Sequence, residues 1–183
     1  MSTPSALSGF VLAGGKSQRM GQDKAVLDWC GQPLLDHMLK LLAAVCDTVQ
    51  IAGRADLPDT TQNLGPLGGM QTALCASKTD HNLITAVDLP LLTEEFLKHF
   101  KEQFYRSSEP LVVCQTAAHY PLLVGVRLSL LNPLKRYLDS GQRSLHGFID
   151  TTPHTTITGA PPELFTNLNG EADYRAAIKS YKP

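Results

Sequence analysis

The sequence carries almost no net charge. Its 183 residues contain 16 lysines and arginines against 17 aspartates and glutamates, and only 18% of all residues are charged. This balance argues against the broad basic surface with which nucleic-acid-binding proteins neutralise phosphates, so we expect no nucleic-acid partner. It leaves room for a local basic pocket that binds a small phosphorylated molecule.

Long apolar runs and paired cysteines are missing as well. No stretch approaches the roughly 20 apolar residues of a membrane-spanning helix, and the N-terminal segment lacks the basic and apolar regions of a secretory leader. The four cysteines lie far apart and form no C-x-x-C pair, which argues against zinc-ribbon and thioredoxin-type sites. We therefore expect a cytoplasmic protein without a membrane partner, in which the cysteines stay reduced.

What the sequence does contain is an alternation of short apolar runs and segments with helical spacing. The length and a hydrophobic content of 43% predict one domain over residues 1–183. In chain order, the first half is predicted as strand 9–13, helix 34–45, strand 48–52, helix 70–76, strand 83–87 and a helix capped by Thr93. This order predicts an α/β fold with three layers, in which a mostly parallel sheet is covered by helices on both faces.

The second half has a less regular pattern. Its predicted elements are strands 110–114 and 121–126, a helix over 128–138 in spite of Pro133, a short strand 155–158 and a closing helix 171–181. Ligands bind outside the carboxyl ends of the strands in open α/β sheets. We therefore expect the site to be formed by the loops after Leu12, Ala52 and Val87.

The loop after the first predicted strand has the composition of a phosphate-binding loop. It contains three glycines and three cations between Ala13 and Lys24. Glycines allow the backbone to approach a phosphate, and Arg19 and Lys24 can neutralise a polyphosphate. It is not a P-loop, because Phe10 stands where the first glycine belongs, and it also lacks the spacing of G-x-G-x-x-G. A flexible loop with incidental charge is the alternative.

The pattern of this loop resembles the signature of nucleotidyltransferases with a Rossmann-like fold. It is most similar to the MobA-type molybdenum cofactor guanylyltransferases, because it has a glycine pair and an Asp-Lys pair where sugar-phosphate relatives usually carry Ala-Ala-Gly and Pro-Lys. The residues that carry the resemblance are Leu12-Ala13-Gly14-Gly15-x-Ser17-x-Arg19-Met20-Gly21-x-Asp23-Lys24. In that family the loop wraps the nucleotide triphosphate. The resemblance thus assigns nucleotide contacts to Leu12, Ala13, Gly14, Gly15, Arg19 and Lys24.

A second glycine turn follows Asp59 by six residues. The segment Gly65-Pro66-Leu67-Gly68-Gly69 indicates a tight turn that opens a helix, and Asp59 alone could equally cap a turn. A Gly-Pro-Leu-(Gly/Ala)-Gly turn near a nucleotide-contacting aspartate is typical of the guanylyltransferases. The resemblance therefore implies that Asp59 binds the nucleotide.

The third predicted strand ends at Asp88-Leu89-Pro90. A carboxylate at this point faces the expected crevice, and Mg²⁺ binds through one or two carboxylates together with phosphate oxygens and water. A structural turn cap is the alternative reading of Asp88. The family has Asp-x-Pro here, and its aspartate holds the catalytic metal. The resemblance implies that Asp88 is catalytic and binds Mg²⁺, with Mn²⁺ as the alternative ion, and that Lys24 and Arg19 assist by balancing charge.

The second half offers weaker candidates for the acceptor side. Phe165-Thr166-Asn167-Leu168-Asn169 resembles the family's segment before its last helix, which implies that Asn169 reaches the site; an ordinary N-cap is the alternative. Arg143 stands at a family-like position and could meet an acceptor phosphate, although most arginines are simply exposed. Tyr120 stands where the family commonly has histidine, and no role is assigned to it.

The resemblance implies a complete activity. It predicts transfer of GMP from GTP to molybdopterin bearing molybdenum, with release of pyrophosphate. Residues 8–105 would form the nucleotide-binding half and residues 106–183 the acceptor half. GTP and molybdopterin bearing molybdenum would be the substrates, and cofactor-delivery proteins and molybdoenzymes are further candidate partners.

One departure from the family keeps other activities open. After the second strand the family often has an asparagine that contacts the nucleotide, whereas this chain has Ile51-Ala52-Gly53-Arg54. A nucleotidyltransferase with another base or acceptor, such as a cytidylyltransferase or a sugar-phosphate enzyme, is therefore the first alternative. A non-catalytic nucleotide-binding partner of a molybdoenzyme is the second, and the presence of both Asp88 and Lys24 argues against it.

Overall fold

The computed structural model describes residues 5–14, 23–61, 63–117 and 119–181. In this part of the chain six strands form one sheet in the order β4-β1-β5-β7-β6-β8. Strand β7 runs antiparallel to both of its neighbours, and the other five strands share one direction. The strands are β1 (Leu7–Leu12), β4 (Thr48–Ala52), β5 (His81–Ala86), β6 (Leu111–Cys114), β7 (Leu123–Arg127) and β8 (His154–Ile157), while β2 (Asp28–Trp29) and β3 (Gln32–Pro33) form a separate small ribbon.

The described helices cover both faces of this sheet. They are α1 (Leu34–Ala43), α2 (Gly65–Ala76), α3 (Glu94–Arg106), α4 (Leu131–Asp139), α5 (Leu145–Asp150) and α6 (Glu171–Ser180). Thr93 caps α3 as expected, since its side chain accepts a hydrogen bond from the Phe96 amide. Pro133 lies in the first turn of α4, where a helix has no hydrogen bond for its amide to lose, so the proline is tolerated.

Alternate side chains along the strands pack into two separate hydrophobic cores, one on each face of the sheet. In β1, Leu7 and Val11 join the core under α1, α3 and α6, whereas Phe10 and Leu12 join the core under α2, α4 and α5. All four side chains are buried, as the period of two in a strand covered on both faces requires. The expected three-layer α/β/α arrangement with a mostly parallel sheet is therefore confirmed.

Several boundaries differ from the sequence-based expectations. Strands β1 and β5 begin two residues earlier than predicted, at Leu7 and His81, and α2 begins at Gly65 rather than Met70. Helix α5 and the β2–β3 ribbon had no counterpart among the predicted elements. None of the described helices is long and apolar enough to cross a membrane.

Candidate active site

A cleft of about 900 Å³ opens at the carboxyl ends of three parallel strands. Strands β1, β4 and β5 end at its floor with Leu12, Ala52 and Ala86. Because these strands are neighbours in the order β4-β1-β5, the loops that follow them meet in one place. We call the surface formed by these loops the first wall; its polar members are Asp23, Lys24, Asp59, Asn63 and Asp88. The second wall is formed by His119, Tyr120, Pro121, Leu122, Leu145 and Asn167.

The floor of the first wall depends on two glycines that touch. Ala13 donates its amide to the Ala52 carbonyl at 2.9 Å, which extends the β1–β4 pairing beyond the strand. The next residues, Gly14 and Gly53, then come so close that a Cβ atom on Gly53 would lie 2.5 Å from the Gly14 Cα atom. Gly53 also has a φ of +87°, which disfavours any other residue. Hence the loop has no room for any side chain at position 53.

Three predicted residues form a hydrogen-bonded group above this floor. The Lys24 ammonium donates to Asp88 Oδ2 at 2.8 Å and to Asn169 Oδ1 at 3.1 Å. The side chains of Lys24 and Asp88 are 16% and 20% exposed, so the ion pair is largely screened from water yet open to the cleft. The Leu168 amide donates to the Asp88 carbonyl at 3.1 Å, which holds the segment carrying Asn169 against the end of β5.

The turn that presents Asp88 is anchored from behind. His37, buried in α1, lies with its Nε2 atom 2.9 Å from the Pro90 carbonyl oxygen. Burial lowers the pKa of His37, so near neutral pH its ring is uncharged and donates this hydrogen bond from Nε2. The Asp88-Leu89-Pro90 turn is thereby tied to the helix that packs under β1.

Asp23 and Arg54 connect the loops of the first wall. Asp23 accepts a hydrogen bond from the Ala25 amide at 3.1 Å and so caps the short 3-10 turn Lys24–Val26. The Arg54 guanidinium donates to Asp23 Oδ1 at 2.6 Å and to the Ala13 carbonyl at 3.1 Å. The hydrogen bond from Arg54 lowers the pKa of Asp23, so this carboxylate is charged. Neither residue had a predicted role of its own.

Asp59 lies beside the glycine floor and the start of α2. Its Oδ1 atom accepts a hydrogen bond from the Thr72 hydroxyl at 3.4 Å, and Oδ2 lies 3.0 Å from the place of a Cβ atom on Gly14. Gly65 and Pro66, at the start of α2, line the cleft, and no side chain caps this helix. The positive end of the helix dipole therefore lies beside the cleft, a favourable setting for an anion.

The second wall has a different character. Its described lining residues include no lysine, arginine, aspartate or glutamate. The Tyr120 ring packs against the His146 ring with centroids 4.6 Å apart, and the His154 ring lies edge-on to it at 6.4 Å. An aromatic and apolar surface of this kind suits a flat ring more than a phosphate group.

The predicted site residues fall into three groups. Those that line the cleft are Leu12, Ala13, Gly14, Lys24, Asp59, Asp88 and Asn169. Gly15 and Arg19 lie outside the described residues. Arg143 is elsewhere: its guanidinium donates to the Leu138 and Gln142 carbonyls at 2.7 and 2.6 Å and so binds the carboxyl end of α4. These contacts give no support to a role for Arg143 on the acceptor side.

Asp88 is the residue best placed to bind a metal ion. No group of three or more histidine, cysteine, aspartate or glutamate side chains in the described segments could hold one. Magnesium, however, needs only one or two carboxylates when phosphate oxygens and water complete its coordination. The Lys24 ammonium on Asp88 Oδ2 shows that a cation is favoured at this position, so the donor set fits such an ion.

Comparisons with known proteins agree with this geometry. The chain matches the MobA-like NTP transferase domain over residues 9–155. A probable molybdenum cofactor guanylyltransferase of Synechococcus elongatus is 30% identical over 187 residues, covering 91% of this chain and 95% of that protein. The molybdopterin-guanine dinucleotide biosynthesis protein A of Archaeoglobus fulgidus has the same fold, with a TM-score of 0.75 at 18% identity and coverage of 94% and 97%. A Mycobacterium tuberculosis protein, solved in complex with manganese, gives a TM-score of 0.67 at 16% identity and coverage of 96% and 100%.

Fold and cleft together define a nucleotidyltransferase, the class of enzyme indicated by the glycine loop. The family match covers most of the chain and includes the last four residues of β1 and the Asp88 turn. The protein therefore belongs to the MobA-like NTP transferase family, and the resemblance seen in the sequence is confirmed.

Proposed function

We propose that this protein transfers GMP from GTP to the phosphate of molybdopterin bearing molybdenum and releases pyrophosphate. The observation that carries the proposal is the hydrogen-bonded group of Lys24, Asp88 and Asn169 at the carboxyl ends of β1 and β5. The relative from Synechococcus elongatus, with its name of probable molybdenum cofactor guanylyltransferase, supports this choice of substrate and product.

The first wall would bind the triphosphate. The backbone of Leu12, Ala13 and Gly14 lines the cleft and would contact the nucleotide, and Asp59 lies beside Gly14. Uncapped amides at the start of α2 and the Lys24 ammonium supply positive potential toward the phosphates. We retain Gly15 and Arg19 as nucleotide contacts on the strength of the family pattern alone.

The chemistry requires positioning and charge neutralisation. An oxygen of the acceptor phosphate attacks the α-phosphorus of GTP in line, one phosphorus–oxygen bond forms, and the bond to pyrophosphate breaks. The acceptor is already ionised, so no general base is needed. Asp88 would hold Mg²⁺, or Mn²⁺ in its place, and this ion would neutralise charge on the phosphate oxygens. Lys24, whose ammonium lies beside Asp88, would donate to the phosphates.

The second wall would take the acceptor. In this organisation residues 8–105 bind the nucleotide and residues 106–183 bind the molybdopterin, within one domain. Tyr120, held by its packing against His146, would offer a ring surface for the flat pterin, and Asn169 contacts Lys24 of the first wall. Cofactor-delivery proteins and molybdoenzymes in the cytoplasm would be the partners that supply and receive the pterin.

A second activity is favoured by one specific observation. The loop Ile51-Ala52-Gly53-Arg54 lacks the asparagine that the family often has here, and the contact between Gly14 and Gly53 leaves no space for a side chain at position 53. A related nucleotidyltransferase that selects another base would keep the same metal and phosphate contacts but would not have the asparagine contact to the nucleotide.

Nucleotide binding distinguishes the two activities. Calorimetric titration with GTP, CTP, ATP and UTP in the presence of Mg²⁺ should show the tightest binding for GTP, and the Asp88→Asn variant should lose most of this affinity. Tightest binding of CTP or another nucleotide would instead assign a sister activity. No binding of any nucleotide triphosphate by the wild-type protein would refute both.

A further inference from the structure

Arg54 occupies a junction between the loops of the first wall. It follows β4 directly and begins a tight turn, in which the Leu57 amide donates to the Arg54 carbonyl at 3.0 Å and the Gly53 amide donates to the Leu57 carbonyl at 2.9 Å. The main chain at Arg54 is therefore held in place on both sides. Its side chain as a whole is 32% exposed.

The guanidinium contacts two points that lie ten residues apart in the chain. Its Nε atom donates to the Ala13 carbonyl at 3.1 Å, at the place where β1 ends. Its Nη2 atom donates to the Asp23 carboxylate at 2.6 Å, directly before Lys24. Arg54 serves the two acceptors from two different nitrogens of one planar group, a spacing that the single donor nitrogen of lysine or glutamine does not reproduce.

Asp23 transmits this contact to Lys24. The carboxylate oxygen that accepts from Arg54 also accepts from the Ala25 amide and so fixes the start of the 3-10 turn Lys24–Val26. The main chain of Lys24 is thus set by its neighbour on each side. From this position the ammonium reaches Asp88 at 2.8 Å and Asn169 at 3.1 Å.

We propose that Arg54 is a positioning residue for phosphate binding: by joining Ala13 to Asp23 it holds the Lys24 ammonium over the glycine floor. It also neutralises Asp23, a cleft-lining carboxylate that would otherwise repel a polyphosphate. Arg54 itself need not touch the nucleotide. This inference rests on the proposed function, because it presupposes that a nucleotide triphosphate occupies the cleft.

Arg127 provides a matched control far from the cleft. It too donates to one carboxylate, Asp80 at 3.0 Å, and to one main-chain carbonyl, Ser107 at 3.1 Å. Its side chain is 26% exposed, close to the value for Arg54, and it does not line the cleft. Loss of either arginine should therefore lower the melting temperature by a similar amount. If Arg54 had a merely structural role, the two variants would also bind the nucleotide equally well.

The test is a double-mutant cycle between Arg54 and Lys24, measured by calorimetry. The ligands are the nucleotide triphosphate that the wild-type protein prefers and the corresponding nucleoside. Arg54→Gln should weaken triphosphate binding about tenfold, the value of one charge-assisted hydrogen bond, and nucleoside binding less than about twofold. In a Lys24→Ala background Arg54→Gln should weaken triphosphate binding by less than about threefold, because the group that it positions is gone. Arg127→Gln should change neither affinity.

Three results would overturn this assignment. They are equal losses for triphosphate and nucleoside, the same tenfold loss in the Lys24→Ala background, and a loss in Arg127→Gln as large as in Arg54→Gln. Preference of the wild-type protein for a nucleotide other than GTP would refute guanylyl transfer while leaving the cycle measurable with that nucleotide. Absence of any triphosphate binding would refute both proposals.

Discussion

The two walls of the cleft differ in how their side chains are held. Lys24 and Asp88 of the first wall are joined by hydrogen bonds to each other and to Asn169, and Arg54 ties Asp23 to the end of β1. The second wall, in its described part, presents rings and apolar groups, with Tyr120 packed against His146. The charged side chains are thus concentrated, and held by hydrogen bonds, where a triphosphate would lie. The side chains of the second wall are held by packing contacts instead.

This contrast suggests a division of labour. Charge stabilisation works best when the charged groups are already fixed in a site with little water, because no reorganisation is then needed during the reaction. Recognition of a flat acceptor depends instead on ring contacts, each of which contributes modestly. Substitutions in the first wall should therefore reduce turnover or nucleotide affinity strongly, and those in the second wall should change acceptor binding alone.

Asp88→Ala should have the largest effect. Removal of the carboxylate that would hold the metal should lower the rate of transfer by at least about 100- to 1,000-fold. The free energy of unfolding should change by less than about 1 kcal/mol, because no core cavity is opened. Steady-state transfer assays and thermal unfolding measure the two quantities, with the exposed Asp139→Ala as the control. Full metal-dependent activity in Asp88→Ala would show that the metal is bound elsewhere.

Gly53→Ala tests the floor on which the first wall rests. Its φ of +87° is shared by Gly141, where a Cβ atom would meet nothing within 4 Å. Gly141→Ala should therefore lower the free energy of unfolding by about 1 kcal/mol, the strain of an alanine at positive φ. Gly53→Ala should lower it by about 3 kcal/mol, because the new Cβ atom also collides with Gly14. Denaturant unfolding measures both losses, and the difference between them is the contribution of the collision with Gly14. Equal losses would mean that the loops separate easily and that the floor is not rigid.

Lys24→Ala separates binding of phosphate from binding of the nucleoside. We expect the dissociation constant for GTP to rise about 10- to 30-fold and that for guanosine to stay within about twofold, since only the triphosphate loses a charged donor. Calorimetric titration with GTP and with guanosine measures both dissociation constants in the variant and in the wild-type protein. Lys98→Ala, which breaks a surface ion pair with Glu94, serves as the control. A similar loss of affinity for GTP and for guanosine would show that Lys24 does not bind the phosphates.

Tyr120→Ala should have the smallest effect and act on the second wall alone. Loss of the ring should raise KM for the molybdopterin acceptor about fivefold, the scale of one aromatic contact, while the dissociation constant for GTP stays unchanged. Tyr120→Phe should behave as wild type, because the ring itself makes the contact with His146. A change in GTP affinity would show that the two walls do not divide the substrates in this way.

Much of the fold was predictable because the signals are local. The strands β1, β4 and β5 are short apolar runs, and Thr93 precedes the spacing of an amphipathic helix. Helix α5 was missed because it has only six residues and contains Gly147, so its periodicity is too short to detect. The β2–β3 ribbon has two residues in each strand and leaves no alternating pattern.

The site was predictable only where its residues lie in a recognisable motif. Lys24 and Asp88 stand in motifs that point to phosphate and metal, and the cleft brings them together. The contacts of Arg54 could not be read in this way, because they join it to residues 31 and 41 positions earlier. Arg143 shows the converse: its place in a family-like segment suggested an acceptor contact, whereas its guanidinium binds carbonyls at the end of α4.

The position of β1 inside the sheet has a consequence for biosynthesis. Leu7 pairs in register with His81, and Ser8 pairs with Thr48, so β1 leaves the ribosome long before either neighbour exists. Until β5 has been made, the apolar side chains of β1 and one row of its amides and carbonyls have no partner. Pairing across such distances is slow, and an open apolar edge invites aggregation. Nascent chains that stall before about residue 80 should therefore depend on chaperones, and chains that extend beyond β5 should depend on them far less.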